Sequence, residues 1–124
     1  MELEGKIYLE TNKVAEAVKT YRKLLKFKKD DPQFFMFVGD LEVKLNHIDL
    51  AIELYKKAAQ KDKKNFLPLY KIGFLYLKSH EWEMAKKYFM RVMEKTDNPK
   101  INEKLTKIIK NLDLLIEHNK NYLH

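Results

Sequence analysis

Three glycines, and only three, occur in the chain, at positions 5, 39 and 73. Gly5, Gly39 and Gly73 are separated by a fixed step of 34 residues. Ala17, Ala51 and Ala85 keep the same step, as do the aromatics Tyr21, Tyr55 and Phe89, and a further register holds Leu24, Ala58 and Val92. A period held in several registers at once means a repeated unit that buries its apolar face by stacking on its neighbours. When glycine is this rare, composition alone does not produce such a coincidence.

Each unit reads as two helices, and nothing alternates with the period of two that a strand requires. In the second unit Asp31-Pro32 is a helix start, a capping carboxylate followed by a proline whose missing N–H costs nothing at the first helical position. Asn46-His47 then makes a turn, and Ile48, Ala51, Ile52, Tyr55, Ala58 and Ala59 form a stripe that buries one face of a second helix. The third unit repeats the plan around a Ser79-His80 turn, and the first has its turn near Thr11-Asn12. The units span about residues 1–31, 32–65 and 66–98. After Asn98-Pro99 a longer amphipathic helix, about 99–121, carries Ile101, Leu105, Ile108, Ile109, Leu112, Leu115 and Ile116 and fits a cap on the last unit. One all-α domain of about seven helices is expected. Glycine inside a helix costs roughly 1 kcal/mol relative to alanine, so its placement serves close approach of paired helices. The alanines of each second helix are expected to face the glycines, with Tyr21, Tyr55 and Phe89 filling the gap toward the next unit.

These registers resemble the tetratricopeptide repeat. The third unit supplies Leu69, Ile72-Gly73, Tyr76, Ala85 and Phe89; the second Phe35, Val38-Gly39, Ala51, Tyr55 and Ala58; the first Gly5, Tyr8, Ala17 and Tyr21. Departures are Glu42 at the tyrosine position, Glu4 at the leucine position, and Lys29, Lys63 and Asp97 at the closing proline. The resemblance implies a right-handed superhelical array whose first helices line a concave, partly apolar groove. Carried over, the groove positions are Lys6 in the first unit, Met36, Phe37, Asp40 and Val43 in the second, and Tyr70, Lys71, Phe74 and Leu77 in the third. It also implies an adaptor or chaperone-like role, and the size and repeat number are similar to those of bacterial secretion chaperones. The expected partner is a protein or peptide, an amphipathic helix or extended segment with some acidic residues. The clamp that grips carboxyl-terminal tails of heat-shock chaperones does not fit, because its places hold Glu2, Lys6, Phe37, Leu67 and Lys71.

Other chemistries find little to stand on. The chain lacks cysteine and has Ser79 as its single serine, so thiolate metal sites and cysteine nucleophiles are closed. His47, His80, His118 and His124 include no pair at the helical spacing a metal needs, and no metal, cofactor or catalysis is expected. The net charge of +7 invites nucleic acid, yet only Arg22 and Arg91 among 25 basic residues are arginine, the residue that makes bidentate phosphate and base contacts. Lysines at 26, 28, 29, 61, 63 and 64 gather where helices end and suit the helix dipole. An acidic amino end and the absence of a long apolar run give the expectation of a soluble, cytoplasmic protein. The alternative reading is a structural role, a homo-oligomer assembled through the carboxyl-terminal helix.

Overall fold

A computed structural model of the chain describes the backbone of residues 2–123 and the side chains of residues 10 and 12–121. Gly5, Lys6 and Tyr8 lie outside the described side chains. Six helices form, α1 Glu2–Leu24, α2 Pro32–Lys44, α3 Ile48–Lys61, α4 Leu67–Lys78, α5 Trp82–Lys95 and α6 Pro99–Leu123, with no strand among the described residues. They fall into two compact units, Met1–Asp62 and Lys63–His124.

In the first unit α2 begins where the sequence signals it. The Asp31 carboxylate accepts the Phe34 N–H at 3.1 Å, and Pro32 takes the first helical position. The helix ends in a turn closed by two hydrogen bonds, His47 N–H to the Glu42 carbonyl at 2.9 Å and Asn46 N–H to the Val43 carbonyl at 2.9 Å. Between them Asn46 adopts a φ of 63°, the left-handed conformation of such a helix stop. The second unit repeats this turn one step of 34 residues later. His80 has a φ of 61°, Glu81 N–H bonds the Tyr76 carbonyl at 3.0 Å, and His80 N–H bonds the Leu77 carbonyl at 3.2 Å.

The expected turn near Thr11-Asn12 does not form. Helix α1 runs unbroken from Glu2 to Leu24, so the described residues form six helices rather than seven. A left-handed asparagine costs energy that α2 and α3 recover by packing their full lengths together. Neither glycine nor proline interrupts the chain between residues 6 and 31, and continuous helix is the lower-energy solution there.

The role expected of the alanines is also corrected. Gly39 and Gly73 face aromatic rings, not alanines: a Cβ added at Gly39 would lie 2.6 Å from the Tyr55 ring, and one at Gly73 would lie 2.6 Å from the Phe89 ring. Each ring therefore lies in the hollow its glycine leaves within the same helix pair. Ala51 and Ala85 are fully buried beside them, while Ala17 is half-buried. Tyr76 stacks at a tilt against Tyr88, 5.7 Å between centroids.

Helix α6 packs on α5. Asn98 caps it, its Oδ1 accepting the Lys100 N–H at 3.0 Å, and Leu105 and Leu112, two turns apart, are almost wholly buried. Lys86 of α5 reaches Asp113 of α6 at 2.5 Å.

Candidate interaction surface

The second unit builds an aromatic ladder on α4. Phe66, Tyr70 and Phe74 recur every four residues and so stand above one another on one helix face. Centroids are 6.2 Å apart for Phe66 and Tyr70 and 4.8 Å for Tyr70 and Phe74. Phe89 supports them from α5, meeting Phe74 edge-to-face at 5.0 Å and Tyr70 at 6.3 Å. Because Phe89 occupies the hollow at Gly73, its ring lies low enough for Tyr70 and Phe74 to rest on it and remain half exposed. Lys71 and Leu77, on the same helix, are half-buried too. Lys104 of α6 holds its ammonium 5.9 Å from the Tyr70 centroid and 5.5 Å from that of Phe74, within the range of cation–π attraction.

The first unit has a smaller cluster. Phe37, 45% exposed, meets Tyr21 at 5.1 Å, and Tyr21 in turn meets Phe34 at 6.1 Å beneath the Lys28 ammonium. The remaining α2 positions named from the sequence divide. Met36 is buried in the core, Val43 is half-buried, and Asp40 accepts a hydrogen bond from the Tyr55 hydroxyl. Burial, then the hydrogen bond to Asp40 and its negative charge, raise the Tyr55 pKa far above the ordinary tyrosine value. Tyr55 is thus a permanent donor that fixes Asp40 and has no acid–base use near neutrality.

Two features escaped the sequence reading. Glu42, fully buried, receives a bidentate guanidinium: Arg22 Nη2 lies 2.8 Å from both carboxylate oxygens and Nε 3.2 Å from Oε2. The signal was Glu42 itself, a carboxylate in a core register where the repeat has tyrosine, which demands a cation. Lys104 carried no such signal, because its place over the rings depends on how α6 is rotated on α5. Among the described residues no group of three or more histidines and carboxylates converges as metal ligands would. No helix is long and apolar enough to cross a membrane among the described residues.

Comparison with known proteins agrees with the helical-repeat fold. The family model described as TPR repeat matches residues 39–79, and that described as tetratricopeptide repeat matches residues 2–31. No curated protein sequence matches the chain. Among solved structures it is similar to the Yersinia enterocolitica type III secretion chaperone SycD in complex with a peptide of the translocator YopD, with TM-score 0.71 and 20% identity over 92% of this chain and 95% of that one. It is similar also to the TPR2B domain of yeast Sti1 in its pHsp70 complex, with TM-score 0.68 and 20% identity over 92% and 94%. The first TPR of Spaghetti (RPAP3), bound to an HSP90 peptide, gives TM-score 0.66 and 22% identity over 89% and 88%.

Proposed function

Because the chain belongs to the tetratricopeptide-repeat family, we propose that it is a protein-interaction module, without catalysis, that binds an amphipathic helix or extended segment of a partner. The observation that carries the reading is the half-exposed ladder of Tyr70 and Phe74 with a lysine over it, apolar area joined to positive charge. Aromatic side chains of this kind supply contact area at small entropic cost and dominate binding energy where they are anchored from below. Proteins of the same fold bind peptides, among them the secretion chaperone with its translocator peptide and the Spaghetti (RPAP3) module with its HSP90 peptide. The partner we favour has an apolar face and acidic residues, matching the net charge of +7. A carboxylate clamp is not part of the proposal, since Phe37 and Leu67 stand at places that would need polar donors.

The test is capture of partners from the native host by the full chain and by the Tyr70→Ala/Phe74→Ala variant. Loss of the captured partner by about tenfold or more, with circular dichroism unchanged, is the expected result. Equal capture by a folded variant moves the binding surface elsewhere.

Self-assembly is the second reading, favoured by Leu114 at 70% and Leu115 at 40% exposed on α6. It requires a doubling of mass with concentration in light scattering that Leu114→Glu abolishes. A constant monomer mass rules it out.

A further inference from the structure

Lys104 lies within cation–π range of two rings that belong to one half-exposed cluster. Its chain neighbour Leu105 is fully buried, so the backbone at this point of α6 is fixed. Its ammonium rests 5.5 Å from the Phe74 centroid and 5.9 Å from that of Tyr70. Ring faces attract a cation but offer no strong acceptor, so the outward N–H groups keep their demand for one.

We propose that Lys104 on the terminal helix anchors an acidic side chain of the bound segment, and that the surface selects Asp or Glu set one helical turn from Leu, Phe or Ile. The spacing follows from the geometry. The ammonium and the Phe74 ring, 5.5 Å apart, are close enough to be met together by side chains three or four apart on a helix, so the acid meets Lys104 while its apolar neighbour lies against the part of the rings the ammonium leaves exposed. One repeat earlier the counterpart of Phe74 is Asp40, which the Tyr55 hydroxyl engages, and the lysine over a ring in the first unit, Lys28 at 4.9 Å from the Phe34 centroid, stands on the loop after α1 rather than on a packed helix. A nucleic-acid base would need an open ring face to stack upon. Here Phe74 and Tyr70 are tilted 59° against each other, edge-on to Phe89, and have the ammonium above them. The arginines are engaged as well, Arg22 by Glu42 and Arg91 over the Tyr88 ring at 5.2 Å.

The inference rests on the peptide-binding reading, and the experiment separates the two. A displayed random-peptide library is selected on the full chain, on Lys104→Glu and on Tyr70→Ala/Phe74→Ala, each verified as folded by circular dichroism. The wild-type chain should enrich peptides pairing an acid with Leu, Phe or Ile, and the enriched peptides should lose about tenfold in affinity for Lys104→Glu while retaining affinity in Lys104→Arg. The ring variant should select none of them. Acid enrichment that survives Lys104→Glu, or apolar peptides without acid from the wild type, overturns the anchor and leaves the peptide-binding reading standing. If no peptide is enriched by any form, both fall. Tight, salt-sensitive binding of a fluorescein-labelled polyuridine RNA that Lys104→Glu abolishes, with no peptide selected, replaces them with a nucleic-acid surface.

Discussion

Arg22→Met is expected to destabilise the first unit by about 3 kcal/mol, and adding Glu42→Leu should recover most of that loss. Glu42 is fully buried, whereas the Arg22 side chain is 43% exposed. Removal of the guanidinium therefore strands a carboxylate in the interior, which costs far more than loss of a surface ion pair at about 0–1 kcal/mol. His47 Nδ1, 3.4 Å from Glu42 Oε1, is too distant to replace three guanidinium contacts. With leucine at position 42 nothing remains to be neutralised, and an apolar side chain at this depth restores burial. Urea unfolding followed by circular dichroism measures the cycle. A single-variant loss below about 1 kcal/mol would make the pair a surface feature, contrary to its burial.

The second unit should show a reversal of sign. Phe89→Ala removes a fully buried ring and should cost about 3–5 kcal/mol. Gly73→Ala in the wild-type background should cost about 1–3 kcal/mol, since the new methyl group would sit 2.6 Å from the Phe89 ring, which has no room to retreat. In the Phe89→Ala background the same Gly73→Ala change meets no ring. There it should stabilise by up to about 1 kcal/mol, the helix preference of alanine over glycine. Trp82, the single tryptophan, lies on α5 and reports this unit by its fluorescence. A Gly73→Ala effect of the same sign in both backgrounds would mean that the glycine is kept for some reason other than the ring.

The parts legible in the sequence were those governed by local chemistry and by period. Asp31-Pro32 and Asn98-Pro99 announced helix starts because capping is decided within three residues, and the step of 34 marked the paired helices. The close contacts at Gly39 and Gly73 lie where the period puts them but with a different partner, since spacing places Ala51 and Tyr55 on one face without saying which of them reaches Gly39. Thr11-Asn12 looked like a turn by analogy with Asn46-His47, yet a turn of that kind is worth its backbone cost only where two helices pack closely afterwards. At the candidate surface Tyr70 and Phe74, two of the groove positions read from the sequence, stand 4.8 Å apart and half exposed on one helix face. Met36 occupies the register of Tyr70 and is buried instead, because exposure depends on what lies across from the helix and not on the helix itself. Lys104 reaches the same rings from a different element, through tertiary placement that no spacing along α6 encodes.

The left-handed turns at Asn46 and His80 bear on how the molecule can be handled. Both residues are exposed, and the hydrogen bonds that close each turn come from backbone atoms on either side. The Asn46 tip therefore depends on conformation, and glycine there would relieve backbone strain, whereas the His80 ring also stacks on Trp82 at 4.9 Å. Reporter groups, affinity handles or short inserted segments belong at the Asn46 tip, where they extend into solvent and leave the glycine hollows and the α4 ladder undisturbed.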